Sequence, residues 1–221
     1  MTGPRVHKMA PMVIPPPIPS GVPKSSRWKI PLIVIGVIVG LLIVFGIQIA
    51  FWSFSAREFE LSTSQKESVI TIDYASEFFL IDKDAGIEEW DCQRFIDGSI
   101  QIYYLYVDES TSLDCTISVE RNRGDSLASY IAEWQTLKLR NEFSEVKIEI
   151  EATDKVFSWG DDSKFAFQLS DDTRNGFAFI ARKDNKIFFV DAWGLLLEDP
   201  EEISEFLTPK LKLFAAESYL D

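Results

Sequence analysis

Histidine is almost absent from this 221-residue chain, and its absence excludes whole classes of enzyme. The single histidine is His7, so residues 8–221 contain none. Without an imidazole, that part of the chain cannot form Ser-His-Asp or Cys-His nucleophilic systems, HExxH sites or ordinary zinc sites. The GxSxG, GxxxxGK[ST] and GxGxxG patterns are also missing. We therefore expect a protein that is not an enzyme and that has no cofactor and no metal ligands.

Cysteine is also scarce, because the chain has only Cys92 and Cys115. In an oxidising compartment the two could pair and close a loop of about 24 residues, which would stabilise the fold by roughly 3 kcal/mol. If one strand lies between their strands, they are about 9–10 Å apart, beyond the roughly 7 Å that a disulfide tolerates. The residues leave both alternatives open, and the compartment favours the disulfide.

Charge is missing from residues 30–54, which are almost entirely apolar. As a helix this stretch rises about 37 Å, enough to cross a hydrocarbon core of about 30 Å. Residues 1–30 carry Lys and Arg but no acid, which places the amino end in the cytoplasm. We therefore predict a single-pass protein of the cell membrane with an extracytoplasmic C-terminal domain. A signal peptide cleaved within residues 53–56, which include Ser53, Ser55 and Ala56, is the alternative.

The apolar stretch divides the chain into four predicted regions. Residues 1–29 are proline-rich and are predicted to be a disordered cytoplasmic tail, and residues 30–54 are the transmembrane helix. Residues 55–67 are a polar juxtamembrane stalk, and residues 68–221 are the extracytoplasmic domain. Within the membrane helix, Gly36 and Gly40 form a GxxxG pattern, whose flat face predicts a homodimer through helix packing.

The outer domain alternates between two periodicities. Apolar residues at every second position predict strands over 68–74, 88–95, 99–107, 114–121, 146–152, 156–159, 165–169, 177–182 and 187–193. Helical spacing predicts a helix from Ser126 to Asn141 and another after Asp199, which Pro209 should kink or divide. Consecutive hairpins separated by helices predict an α+β fold, an antiparallel sheet covered by helices.

This order of elements over residues 68–216 resembles the PsbP-like α/β/α sandwich. The likeness lies in the opening strand Ile70–Tyr74, the helix Ser126–Leu139, the turn at Gly160 and the closing helix Ile203–Phe214. Family members usually have Pro-x-x-Trp after the opening strand, where this chain has Ala75–Phe79 instead. The resemblance implies binding or assembly work rather than catalysis, and it assigns no functional residues.

The strongly acidic outer domain indicates what it can bind. The formal net charge of the chain is −13, and nucleic-acid binding depends on clustered Lys and Arg, so nucleic acid is not expected as a partner. We predict a membrane-anchored, non-catalytic module that binds another protein or a small ligand. Two alternatives are a calcium-responsive module built on the acidic loop Asp82–Glu89 and a membrane-tethered hydrolase that uses paired carboxylates.

Overall fold

The computed structural model describes residues 56–143, 149–152, 156–197 and 199–219, which form eight strands and four helices. The strands are β1 (Arg57–Glu58), β2 (Ile87–Arg94), β3 (Ile100–Val107), β4 (Ser112–Val119), β5 (Glu149–Ala152), β6 (Asp162–Ser170), β7 (Thr173–Lys183) and β8 (Lys186–Trp193). Together they form one antiparallel sheet in the order β1-β2-β3-β4-β8-β7-β6-β5. The sheet is therefore two four-stranded halves that meet where β4 pairs with β8.

Four helices accompany the sheet among the described residues: α1 (Thr63–Ser68), α2 (Ile72–Ala75), α3 (Arg123–Phe143) and α4 (Pro200–Ala216). The last begins as the sequence predicts, since the Asp199 carboxylate accepts hydrogen bonds from the N–H groups of Glu201 and Glu202, and Pro200 takes the first helical position. Pro209 neither ends nor divides this helix, which runs unbroken to Ala216.

One face of the sheet, here called the core face, carries the main hydrophobic core. Helices α2 and α4, with the short segment that joins α1 to α2, supply its covering layer through the side chains of Val69, Ile70, Ile72, Ile203, Phe206, Leu207, Leu211 and Phe214. Every second residue of the central strands faces them, including Ile102, Tyr104, Cys115, Ile117, Phe177, Phe179, Phe188 and Val190. This core extends across both halves of the sheet.

The opposite face, here called the α3 face, is covered differently. Tyr130, Trp134 and Leu137 of α3 are buried against a second cluster on β6, β7 and β8, formed by Ala166, Ala178, Ile180, Ile187 and Phe189. Leu127, Ile131 and Leu139, which helical spacing also placed inward, are instead 42–50% exposed. The buried stripe of α3 is therefore narrow, and it reaches only one half of the sheet.

The predicted fold class, an antiparallel sheet covered by helices, is wrong. A single eight-stranded sheet is the main element of the described chain, its helices are few, and α3 leaves the α3 face of β2 and β3 without a packed helix among the described residues. The predicted opening strand is also wrong. Thr71 caps α2 by accepting the Tyr74 N–H, and the Ile72 N–H donates to the Tyr104 hydroxyl at 2.8 Å, so this segment is helical.

The remaining strand predictions divide clearly. The six segments that became β2, β3, β4, β6, β7 and β8 are confirmed, with shifts of a few residues at their ends, and Gly98 has φ +88 in the predicted hairpin turn. Residues 149–152 of the predicted strand 146–152 form β5, while residues 156–159 are not a strand.

The predicted membrane helix at residues 30–54 lies outside the described residues. None of the helices that are described combines the length and the apolar character that a membrane crossing requires.

Candidate binding surface at the sheet edge

The outer edge of β2 is only partly covered by its neighbour β1. β1 pairs Arg57 with Arg94 and Glu58 with Gln93, and the Phe59 N–H then donates to the Cys92 carbonyl at 3.2 Å. Beyond Phe59 the chain turns away, because a capping box starts α1: the Ser62 hydroxyl accepts the Gln65 N–H while the Gln65 side chain accepts the Ser62 N–H. The rest of β2 therefore loses its strand neighbour on this side.

The backbone N–H and C=O groups of Glu88 and Trp90 point to the side of β2 along which β1 does not continue. In an antiparallel pair, successive residues direct their N–H and C=O groups alternately to the two sides of the strand. Since the Cys92 carbonyl faces β1, the groups of Trp90 and Glu88, two and four residues earlier, face the same side. No backbone hydrogen bond to these outward groups comes from a described strand or loop. We call this stretch, Glu88–Trp90, the open edge.

A groove of about 700 Å³ lies beside the open edge. Its lining, here called the edge groove, consists of Glu58, Phe59, Glu60, Leu61, Lys66, Trp90, Asp91 and Cys92. Phe59, Leu61 and Cys92 are half-buried and pack against the main core, so the floor of the groove is formed by apolar side chains. Trp90 forms one wall: it is 37% exposed, and its ring meets Tyr104 edge-on at a centroid distance of 4.8 Å.

Carboxylates line the α3 face beside this edge. Residues directly opposite in an antiparallel pair share a face of the sheet. The register across β2, β3, β4 and β8 aligns Asp91 with Tyr103, Thr116 and Phe189 in turn. Since Phe189 packs against α3, Asp91 also lies on the α3 face. By the same register Glu58 and Glu89 also belong to the α3 face, whereas no Lys or Arg in the described strands β1 to β4 does. The Asp91 carboxylate accepts a hydrogen bond from Gln93 at 2.7 Å.

The two cysteines lie on the core face, on strands separated by β3. Cys92 is half-buried in β2, Cys115 is fully buried in β4, and both are free thiols. The disulfide that the compartment favoured is not formed in this structure. Burial raises the pKa of the Cys92 thiol and raises that of Cys115 to about 12, although the Ile70 N–H donates to the Cys115 sulfur. The packing face at Gly36 and Gly40 lies outside the described residues.

Three of the carboxylates that suggested calcium or hydrolysis, Asp82, Asp161 and Asp162, make structural contacts. The Asp82 carboxylate accepts the Asp84 N–H within its own turn, at 3.3 Å. The Arg182 guanidinium binds Asp162 at 2.5 Å, and the Asp184 N–H donates to Asp161 at 2.8 Å. In the described part of the chain, no group of three or more His, Cys, Asp or Glu side chains is arranged to hold a metal ion.

Asp114 and Asp191 form an arrangement that sequence reasoning missed. They lie directly opposite each other where β4 pairs with β8, on the α3 face. Gln168, itself buried, donates to Asp191, and the Thr116 hydroxyl donates to Asp114 at 3.2 Å. Neither carboxylate lines the edge groove. The pair could not be read from the sequence, because 77 positions separate the two residues and only the strand order joins them.

Comparison of the chain with protein-family models, with characterised proteins and with solved structures finds no match in any of the three. The PsbP-like resemblance therefore stays a prediction from the order of elements, and no residue role is transferred from it.

Proposed function

We propose that this chain is a membrane-anchored, non-catalytic binding module whose extracytoplasmic domain accepts an extended segment of another protein at the open edge. The supporting observation is the partly covered strand β2, where the outward groups of Glu88 and Trp90 lie beside the edge groove. An exposed strand edge is a template for strand addition, since its free N–H and C=O groups can continue the sheet. The anchor and its orientation are proposed from the uncharged residues 30–54 and the basic residues before them.

Site-specific photo-crosslinking in intact membranes tests this proposal. A benzoylphenylalanine in place of Glu60, in the groove, is expected to form an adduct with a second protein. The same group in place of Ile131, which is 48% exposed on α3, is the control and should not form that adduct. Absence of an adduct from position 60, or equal adducts from both positions, would contradict binding at the edge.

Glu88→Pro supplies the matched backbone test. Proline removes the outward N–H of residue 88 and leaves the inward ladder intact, and proline is accepted on strand edges. The adduct from position 60 should disappear in Glu88→Pro and persist in Glu88→Gln, which keeps the N–H but removes the charge. If the adduct survives Glu88→Pro in a folded protein, strand addition is not the binding mode.

A further inference from the structure

The two faces at the open edge carry different side chains. Glu89, and Asp91 one residue beyond the open edge, lie on the α3 face, with Glu58 farther along on β1. The core face carries Trp90, next to Phe59 and the apolar floor of the groove, together with the Glu88 carboxylate, and Lys66 also lines the groove. A strand added along β2 would alternate between the same two faces. Its residues opposite Glu89 and Asp91 would meet carboxylates, and the residue opposite Trp90 would meet an aromatic wall.

We infer that the segment bound at the open edge carries cationic side chains at alternate positions, with apolar side chains between them. This inference rests on the proposed function and specifies its partner. Lys or Arg opposite Glu89 and Asp91 gives opposite-charge cross-strand pairs, and an apolar side chain opposite Trp90 is removed from water in the groove. The backbone ladder provides the remaining contacts without regard to sequence.

A second copy of this chain fits the edge poorly. If two β2 strands paired antiparallel with Glu88 opposite Trp90 of the second copy, the two Glu89 side chains would face each other directly. If Trp90 paired with Trp90 of the second copy, Glu89 would face Asp91. Like charges directly opposite destabilise a sheet, and charged side chains on an edge strand are a common device against self-association. The charge pattern therefore favours a basic partner over a homodimer at this surface.

Fluorescence anisotropy with labelled synthetic peptides tests the inference on the full chain in uncharged detergent micelles. The probe is a peptide of alternating Lys and Val, and the controls are a block peptide of three Lys followed by three Val and a peptide of alternating Glu and Val. The alternating basic peptide should bind at least about tenfold more tightly than either control, and its affinity should fall as salt rises. Glu88→Pro should remove this binding.

A second variant separates charge recognition from strand addition. The double substitution Glu89→Gln and Asp91→Asn removes both carboxylates from the α3 face of the edge, leaves the backbone ladder in place, and should lower affinity for the basic peptide several-fold. Thermal unfolding of each variant confirms that the domain remains folded. Equal affinity for the acidic and basic alternating peptides, or for the block peptide, would overturn the inference.

The outcomes also distinguish this inference from the proposed function. If the position-60 adduct depends on an outward N–H at residue 88 while the acidic peptide binds best, the edge is a binding site and the basic specificity is wrong. If Glu88→Pro changes neither the position-60 adduct nor peptide binding, both the proposed function and the basic specificity are wrong. If the protein alone forms a dimer in sedimentation experiments that Glu88→Pro dissociates, a second copy occupies the edge and the basic partner is overturned.

Discussion

The ammonium group of Lys186 caps the carboxyl end of α4 at Phe214. Its Nζ donates to the carbonyl oxygens of Phe214, Ala215 and Glu217 at 3.1, 2.8 and 3.1 Å. The last turn of α4 contains no basic residue of its own, so a lysine from β8 satisfies carbonyls that the helix leaves open. Because α4 covers the core face, this contact joins the helix to the sheet.

Lys186→Met is expected to destabilise the domain by about 2 kcal/mol, the scale of a lost charge-assisted hydrogen-bond cluster. The removed ammonium leaves several carbonyls at the end of α4 without a donor, while the methionine retains most of the side-chain volume. Urea unfolding followed by circular dichroism measures the change. Lys212→Met, at an exposed position on the same helix, is the control and should change the unfolding free energy little. Equal effects of the two substitutions would contradict the capping role.

Alkaline pH is expected to unfold the domain gradually. Burial raises the pKa of Tyr74 and Tyr106 from 10.0 to about 12 and that of Cys115 from 9.0 to about 12. As the pH rises, the unfolded chain releases these protons before the folded protein does. The contribution of these groups to the free energy of unfolding is therefore complete below pH 9 and is lost as the pH rises toward 12. Burial has the opposite effect on Lys186 and Lys210, whose pKa it lowers from the usual 10.5. The folded protein releases these two protons before the unfolded chain does, so their effect on the free energy of unfolding becomes more favourable as the pH approaches 10.5.

The groups with a raised pKa outnumber the two lysines, and the buried Tyr104 and Tyr219 add to them. The net expectation is that the urea midpoint at pH 11 lies below that at pH 8. Titration of tyrosine absorbance in the folded protein gives an independent check, because the buried hydroxyls should ionise only as the protein unfolds. A midpoint that stays constant or rises between the two pH values would contradict this balance.

Gly176 permits β7 to approach β8 closely. A Cβ at this position would lie 2.1 Å from the backbone carbonyl oxygen of Ala192, and the β6–β7 register shifts close by, at Gln168. Gly176→Ala is therefore expected to cost about 1–3 kcal/mol or more, since a backbone atom cannot move aside as a flexible side chain can. Gly124→Ala, in the first turn of α3, is the control: its Cβ would meet the side-chain oxygen of Asn122 at 3.1 Å instead of a backbone atom, so it should cost much less than Gly176→Ala. Differential scanning calorimetry compares the two.

The two free thiols are expected to differ in reactivity. Cys115 is fully buried, and burial raises its pKa to about 12, so the thiol stays protonated at pH 8. Cys92 lines the edge groove and should be alkylated first in the folded protein, whereas Cys115 should react only on unfolding. Mass spectrometry of the alkylated peptides measures both. A native mass lower by two hydrogens, with neither residue alkylated, would instead indicate a disulfide.

Local chemistry was sufficient to predict much of the fold. The alternation in 99–107, the Asp97-Gly98 turn and the Asp199-Pro200 helix start act through neighbouring residues, and each is present in the structure. The alternation in Ile70–Tyr74 predicted a strand and failed. Its apolar side chains serve the core equally well from a capped helical turn, and the hydrogen bond from the Ile72 N–H to Tyr104 spans 32 positions.

What the sequence determined by itself is the set of elements and their chemistry: an uncharged apolar stretch, an acidic domain with no histidine, and strands in which apolar and polar residues alternate. What only the tertiary structure decided is which strands are neighbours. That choice brings Asp114 opposite Asp191, places Lys186 at the end of α4 and leaves Glu88–Trp90 at an edge. Strand order depends on the packing of the whole core, to which each residue contributes little, so no local pattern can reveal it.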